Sequence, residues 1–206
     1  PDGDTLSSAC ALMQYLRTIE VNHTAFCATS INPHMRFLPH IEYFITDPAL
    51  FERMKFDTIV VLDSGDLSYA GVAHHITALP YQPIIINIDH HHTNAQFGHH
   101  NLVMPEAAST TEVLYRFFKA NNIALDKHIA TCLMTGLITD TEHFTNPATS
   151  ASALQTGAEL LRAGANINLI RGATLHNHSI KSLKLWGRVL SRLTKNSEHD
   201  IAYTVI

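Results

Sequence analysis

The sequence Pro83-Ile84-Ile85-Ile86-Asn87-Ile88 is an almost unbroken apolar run, and Asp89-His90-His91-His92 follows it directly. A second run of this kind, residues 58–62, ends at Asp63. Short continuous apolar runs are typical of strands that helices cover on both faces. In an open parallel sheet, ligands bind beyond the carboxyl ends of the strands. The polar residues that follow the two runs are therefore expected to share one site.

Longer helical patterns alternate with these strands, at residues 6–19, 107–121, 127–137, 150–163 and 180–194. Further strands are expected at residues 24–29 and 201–206. Strands that alternate with helices favour βαβ units. The sequence thus predicts an α/β fold in which a parallel β-sheet is flanked by helices on both faces.

Composition narrows the classes of function. The 206 residues carry a formal net charge of −4, and no lysine- or arginine-rich run is present, so a grip on long nucleic acid is not expected. No apolar run approaches the length that crosses a bilayer, and no signal peptide is recognised. Three scattered cysteines, Cys10, Cys27 and Cys132, fit a reducing compartment, which favours a cytoplasmic location without membrane partners.

Four acidic or histidine groups stand at the ends of predicted elements. Asp2 and Asp4 precede the first helix, and Asp140 ends the third. Taken singly, these aspartates are better explained by helix capping or a turn, whereas Asp63 fits capping and ligation equally well. The group at Asp89 favours ligation, because neighbouring imidazoles bind transition metals and an adjacent carboxylate orients their rings.

Together the four groups predict a metal centre. Carboxylates and imidazoles without cysteine favour manganese- or magnesium-like chemistry over structural zinc. A set this rich in carboxylates can hold two cations ~3.5–4 Å apart, which lower the pKa of a water and neutralise phosphate oxygens. We therefore expect two divalent cations, Mn²⁺ in the first place and Mg²⁺ or Co²⁺ as alternatives, and phosphoester hydrolysis as the chemistry.

The ordered groups resemble the DHH phosphoesterase superfamily, which is named after the triplet present here as Asp89-His90-His91. Residues 88–98, 105–112 and 136–141 carry most of the similarity. Within the superfamily the chain is similar to bacterial short-oligonucleotide exonucleases (nanoRNases) that also dephosphorylate 3′-phosphoadenosine 5′-phosphate. The resemblance implies hydrolysis of short oligonucleotides from an end, or of nucleotide 3′-phosphates, by a water that two metal ions activate.

The resemblance also implies a role for each matching residue. Asp63 would bridge the two metals, and Asp89 would orient a histidine from behind. His91 would contact the scissile phosphate and serve the leaving oxygen, which makes His91 and Asp63 the catalytic residues. The implied metal ligands are Asp2, Asp4, Asp63, His90 and Asp140. Ser109 and Thr110, near a helix start, are weaker candidates that either donate to phosphate or cap the helix.

Some positions depart from the family pattern. Glu142 stands where the family usually has the glycine of Asp-Thr-Gly. A first-metal histidine would lie upstream of Pro1, and no glycine-histidine-rich motif occurs before Ile206. We therefore expect residues 1–195 to form the DHH catalytic domain without its first strand and that histidine. Residues 196–206 are expected to be a linker and the start of an incomplete C-terminal substrate-binding domain.

Several alternatives stay open. The expected partner is a short oligonucleotide or a small phosphorylated nucleotide, and a homodimer is an alternative to a monomer. Pyrophosphatase, exopolyphosphatase and cyclic-dinucleotide phosphodiesterase activities are the other hydrolytic candidates. A catalytically degenerate nucleotide-binding module or a structural metal protein would belong to another class. Six other histidines are interpreted as surface or loop residues: His74, His75, His99, His100, His176 and His178.

Overall fold

The computed structural model describes residues 1–174 and 180–205. Its strands are β1 (Ala25–Phe26), β2 (Phe44–Ile45), β3 (Thr58–Leu62), β4 (Ile84–Asp89), β5 (His100–Val103), β6 (Thr194–Asn196) and β7 (Ile201–Tyr203). Its α-helices are α1 (Gly3–Thr18), α2 (Leu50–Arg53), α3 (Ala73–Thr77), α4 (Thr110–Ala120), α5 (Lys127–Asp140), α6 (Ala151–Arg162), α7 (Ile167–Thr174) and α8 (Ile180–Ser191).

The central sheet has the order β3-β4-β5, and all three strands are parallel. A second parallel pair joins β1 to β2, whereas β6 and β7 form an antiparallel hairpin. Helices flank the parallel sheets, so the predicted α/β class is confirmed. Leu62 pairs with Ile88, and the backbone N–H of Asp63 donates to the carbonyl of Ile88 over 3.0 Å. The polar residues after β3 and β4 therefore reach the same edge of the sheet.

Helix α5 is the centre of the core. It packs against α1, α4 and α6, and every residue from 129 to 138 is buried. Asp126 caps its first turn by accepting the backbone N–H groups of His128 and Ile129. Because α5 is apolar on all sides, it is held in place by its neighbours rather than by one amphipathic face. Its last residue, Asp140, is thereby fixed relative to α1.

The boundaries differ from the predicted ones where capping or short pairing decides them. Helix α4 begins at Thr110 rather than at residue 107, because the Ser109 hydroxyl accepts the N–H of Glu112 and the Glu112 carboxylate accepts the N–H of Ala108. The strand predicted at 24–29 is reduced to two residues. The last strand ends at Tyr203, and Ile206 lies outside the described residues. Strands β2 and β5 were not predicted, since neither is long enough to show a period.

The apolar side chains of α8 are exposed, with Trp186 and Leu190 both more than half accessible to solvent. Among the helices described here, none is both long and apolar enough for a bilayer crossing. His176 and His178 lie outside the described residues.

Candidate metal centre

Asp63 directly follows β3 and has a left-handed backbone, with φ of +57°. Aspartate tolerates this conformation better than most residues, although at some cost in energy. Its carboxylate is almost fully buried. One oxygen accepts from the Thr5 hydroxyl over 2.6 Å and the other accepts from the Thr110 hydroxyl over 3.0 Å. Two hydroxyls from different helices therefore fix this carboxylate.

His90 joins two groups of ligand-type atoms. In the first group, one nitrogen of His90 and one oxygen each from Asp4 and Asp140 all lie within 4.8 Å of one another. The closest measured approach is 3.1 Å, between His90 Nε2 and Asp140 Oδ2. The three residues come from the end of β4, the start of α1 and the end of α5. Distant parts of the chain thus converge on one point.

The second group contains Asp63, Asp89, His90 and His91, whose ligand atoms also lie within 4.8 Å of one another. Asp63 Oδ1 is 3.7 Å from His90 Nε2 and 3.8 Å from His91 Nδ1. Because the two groups share His90, they form one continuous cluster. Oxygen and imidazole donors at such separations suit divalent cations of the manganese or magnesium type. The residues present therefore fit a centre for divalent cations.

Asp4 is fully buried, and the amino end of α4 compensates its charge. The backbone N–H of Thr110 donates to Asp4 Oδ2 over 2.6 Å, and that of Thr111 donates to Oδ1 over 3.1 Å. A helix amino terminus favours negative charge through its free N–H groups and its dipole. On the other side, α5 approaches so closely that a Cβ on Gly136 would lie 2.3 Å from Asp4 Oδ1. Glycine is required at this contact.

Crowded carboxylates perturb the protonation of the cluster. Burial, together with the charges of Asp63 and Asp140, raises the pKa of Asp4 well above its ordinary value. Burial also raises the pKa of Asp63, although hydrogen bonds from Thr5 and Thr110 oppose the rise. For His90, burial alone would lower the pKa, but the hydrogen bond to Asp140 and the nearby carboxylates raise it to about 9. The cluster therefore attracts positive charge, which a proton or a metal ion can supply.

His91 stands against Asp89 at the rim of the cluster. Its Nδ1 is 2.7 Å from Asp89 Oδ1, and its side chain is 45% exposed. Burial would raise the pKa of Asp89, but hydrogen bonds from Asn94, His91 and the His90 backbone outweigh it and lower the pKa. An ionised carboxylate can only accept, so the proton of His91 belongs on Nδ1. Nε2 is then the nitrogen of the partly exposed ring that makes no bond to Asp89.

Asp2 lies outside both ligand groups among the described residues. It caps α1 by accepting the backbone N–H of Thr5 over 3.0 Å, and it is exposed. The Thr5 hydroxyl lies 3.0 Å from Asp2 and 2.6 Å from Asp63. Thr5 therefore connects Asp2 to the cluster, and the metal-binding role of Asp2 stays a prediction.

Ser109 and Thr110 are fully buried. Ser109 caps α4, while Thr110 donates its hydroxyl to Asp63. The contact with phosphate predicted for these residues stays a prediction, and the bonds that they make here position α4 and the cluster. The spacing of Ser109 and Glu112, which is that of a capping box, is a signal in the sequence that could have located this helix start.

Comparison with known proteins identifies the family. The family described as "DHH family, N-terminal domain" matches residues 1–137. The chain belongs to the DHH family. One relative, the "Bifunctional oligoribonuclease and PAP phosphatase NrnA" of Thermus thermophilus, is 31% identical over 192 residues, which cover 93% of this chain and 56% of the relative. A "Probable manganese-dependent inorganic pyrophosphatase" of Streptococcus thermophilus is 27% identical over 175 residues, which cover 81% of this chain and 54% of the relative. The chain thus spans about half the length of these curated relatives.

A solved structure of similar shape supports the same fold. An exopolyphosphatase-related protein from Bacteroides fragilis superposes with a TM-score of 0.88 at 24% identity, covering 98% of this chain and 61% of that protein. At this identity the likeness is evidence for the fold alone.

One departure of this DHH domain from the family pattern has a structural explanation. Glu142, His143 and Phe144 all have left-handed backbones, with φ of 47°, 61° and 63°. Only glycine adopts this conformation without strain. The glycine expected after Asp140-Thr141 therefore suits the turn, and Glu142 has to tolerate it.

Other polar residues of the DHH domain serve its structure. His75 stacks on Phe51, and His99 accepts the N–H of Ile85 over 2.9 Å, which extends the β4–β5 edge. Arg116 forms ion pairs with Glu106 and Glu112. None of these three residues lies in the two ligand groups of the described chain.

Proposed function

We propose that this chain carries a metal-dependent phosphoesterase activity that releases mononucleotides from an end of short oligonucleotides and phosphate from nucleotide 3′-phosphates. The observation that carries the proposal is the pair of ligand groups sharing His90 at the carboxyl edge of the sheet. Two cations held there would act as Lewis acids toward phosphate oxygens and lower the pKa of a bound water. Manganese is the proposed metal, in keeping with the name of the pyrophosphatase relative.

The proposed role of each residue follows from its position in the cluster. Asp4, Asp63, His90 and Asp140 would hold the cations, with Asp63 as the bridging carboxylate and Asp2 as a further ligand. Thr5 and Thr110 keep the Asp63 carboxylate in one orientation. This fixed geometry lowers the reorganisation needed when a phosphate arrives.

His91 is the proposed residue for the departing oxygen. Asp89 holds its Nδ1. When the ring also carries a proton on Nε2, that N–H can donate to a phosphate oxygen or pass its proton to the leaving group. The exposed position of the ring allows a substrate to reach it. Ser109 and Thr110 support the cluster from behind, and their direct contact with phosphate belongs to the proposal.

The net charge of the chain and the name of one relative favour a small substrate. The net charge is −4, so the cations, rather than a basic surface, would neutralise phosphate. The relative named as an oligoribonuclease and PAP phosphatase supports short oligonucleotides and small nucleotides. A cytoplasmic location, residues 1–195 as the catalytic domain and residues 196–206 as the start of a substrate-binding domain complete the proposal.

Pyrophosphate hydrolysis is the second candidate, because relatives named as probable manganese-dependent pyrophosphatases match more than four-fifths of the chain. A panel of 5′-phosphorylated dinucleotide, 3′-phosphoadenosine 5′-phosphate and pyrophosphate, each with Mn²⁺, separates the two activities. We expect the first two to be hydrolysed faster. Faster hydrolysis of pyrophosphate would replace the main proposal by this one.

The decisive variant is Asp63→Asn, which should reduce turnover by several orders of magnitude. Asp66→Asn is the matched control, because Asp66 lies in the same loop, is exposed and only accepts the N–H of Tyr69. Normal turnover by the Asp63 variant would contradict the bridging role. Nucleotide binding without any turnover in the unaltered chain would indicate a degenerate binding module.

A further inference from the structure

The side chain of Asn94 connects the two loops that carry the metal centre. Its Nδ2 donates to Asp89 Oδ2 over 2.5 Å and to the carbonyl of Ser64 over 3.1 Å. Its Oδ1 accepts the N–H of Gln96 over 2.7 Å. Both polar atoms of the Asn94 side chain therefore form hydrogen bonds. Asn94 lies two residues after His92 and belongs to neither of the two ligand groups.

The bond to Asp89 acts on His91. Asp89 is fully buried, and its other oxygen, Oδ1, accepts from His91 Nδ1 and from the backbone of His90. Asn94 is the donor to Oδ2. Removing this donor leaves a buried carboxylate oxygen without its protein partner, so the carboxylate is free to rotate. Rotation would remove the acceptor that holds the proton of His91 on Nδ1.

The bond to Ser64 acts on Asp63. Ser64 follows Asp63 directly, and its carbonyl also accepts the Asn87 amide over 3.3 Å. Beside this bond, the backbone N–H of Ala95 donates to the carbonyl of Gly65 over 2.9 Å. The loop at residues 63–66 is therefore attached to the loop at residues 89–95 next to the point where Asp63 has its left-handed backbone.

We propose that Asn94 is a positioning residue that sets the carboxylate of Asp63 and the imidazole of His91 relative to each other. This inference depends on the proposed phosphoester hydrolysis for its consequence in turnover. The positioning itself concerns the 3.8 Å between Asp63 Oδ1 and His91 Nδ1. The Asn94 amide nitrogen bonds to both loops, residues 63–66 and residues 89–95, and so holds this separation fixed.

Two variants separate positioning from simple turn formation. Asn94→Asp keeps an acceptor for the N–H of Gln96, and hence the turn, but loses both donor bonds and places a second carboxylate beside Asp89. Asn94→Ala loses the turn bond as well. Asn101→Ala is the matched control, because the side-chain amide of Asn101, an exposed residue of β5, makes a similar pair of bonds with the backbone of nearby Gly98.

The first measurement is long-range ¹H–¹⁵N NMR of the imidazole rings in metal-free protein, which does not depend on catalysis. We expect the Nδ1-protonated form of His91 in the unaltered chain and in Asn101→Ala. In both Asn94 variants the His91 nitrogens should shift toward a mixture of the two tautomers. An unchanged His91 spectrum in the Asn94 variants would overturn the inference.

The second measurement is Mn²⁺ affinity by calorimetry, followed by hydrolysis of a 5′-phosphorylated dinucleotide. Changes behind metal ligands commonly cost 10–100-fold in affinity or activity, so we expect a loss of about this size in both Asn94 variants and none in Asn101→Ala. If Asn94→Asp lost nothing while Asn94→Ala lost both, Asn94 would only form a turn and the inference would be wrong. If the unaltered chain hydrolysed no nucleotide, the proposed function would fail, and the NMR spectra would still decide the role of Asn94.

Discussion

Replacing Gly136 with alanine is expected to damage both the fold and the metal centre. The added Cβ would lie 2.3 Å from Asp4 Oδ1 and 2.4 Å from Thr111 Cγ2. Neither neighbour can move freely, because Asp4 accepts the backbone N–H groups of Thr110 and Thr111 at the start of α4. The contact can be relieved only if α5 moves away from α1 and α4, or if the Asp4 carboxylate rotates away from the N–H groups at the start of α4.

The size of the effect follows from two opposing terms. Extra methyl groups in a well-packed core cost about 1–3 kcal/mol, whereas alanine in place of glycine inside a helix gains roughly 0.5–1 kcal/mol. The expected net loss in the free energy of unfolding is therefore about 1–2 kcal/mol. Because Asp4 belongs to the first ligand group, Mn²⁺ affinity should fall by at least about tenfold.

Urea denaturation in EDTA gives the stability of the metal-free protein, and calorimetry gives its affinity for Mn²⁺. Gly172→Ala is the matched control, since Gly172 lies within α7 and an added Cβ would meet nothing within 4 Å. It should gain roughly 0.5–1 kcal/mol and leave affinity unchanged. A Gly136 variant that is as stable as the unaltered chain and binds Mn²⁺ as tightly would refute the close packing described here.

Three further perturbations test individual contacts. In the folded protein the pKa of His90 is raised from 6.5 to about 9. The stabilisation that protonated His90 gives the metal-free protein is therefore complete below pH 6.5 and is lost as the pH rises through 9. At ~1.4 kcal/mol per pKa unit, the free energy of unfolding should fall by about 3 kcal/mol. Urea titrations across this range should show the loss in the unaltered chain and in the exposed His34→Gln control but not in His90→Gln, and equal slopes in all three would contradict it. Thr110→Val removes the hydroxyl donor to Asp63 and should lower turnover about 10–100-fold, with secondary structure unchanged by circular dichroism; unaffected turnover would mean that Thr5 alone holds Asp63. Glu142→Gly should raise the free energy of unfolding by about 1 kcal/mol in thermal denaturation because φ is positive there, whereas Glu142→Ala should not.

Much of the fold could be predicted because the strands that matter are continuous apolar runs. The runs that became β3 and β4 placed Asp63 and Asp89 at one edge of the sheet before any coordinate was known. Strand β1 was predicted but too long, and its partner β2 was not predicted, since a pairing of two residues depends on tertiary contacts rather than on a period. The start of α4 was predicted three residues too early, because Ser109 and Glu112 fix the helix start through hydrogen bonds that the apolar pattern does not show.

The candidate metal ligands were easier to predict from the sequence than the residues that position them. Asp4, Asp63, His90 and Asp140 stand at ends of elements, where acidic and histidine residues are conspicuous. Thr5, Asn94 and Gly136 were missed as contributors, because their importance depends on partners that are 58, 30 and 132 residues away in the chain, respectively. Thr110 was predicted to contact phosphate, but its bond to Asp63 was not predicted. A threonine or glycine in a helix carries no local mark of such a partner. Their roles follow only from the packing of α1, α4 and α5.

Electron paramagnetic resonance of the protein titrated with Mn²⁺ tests the shared cluster most directly. Two ions held in groups that share His90 lie close enough for their electron spins to couple. We predict two Mn²⁺ per chain and an exchange-coupled spectrum, which Asp63→Asn abolishes and Asp66→Asn leaves intact. A single isolated ion, or two ions that show no coupling, would contradict a two-metal centre in this chain.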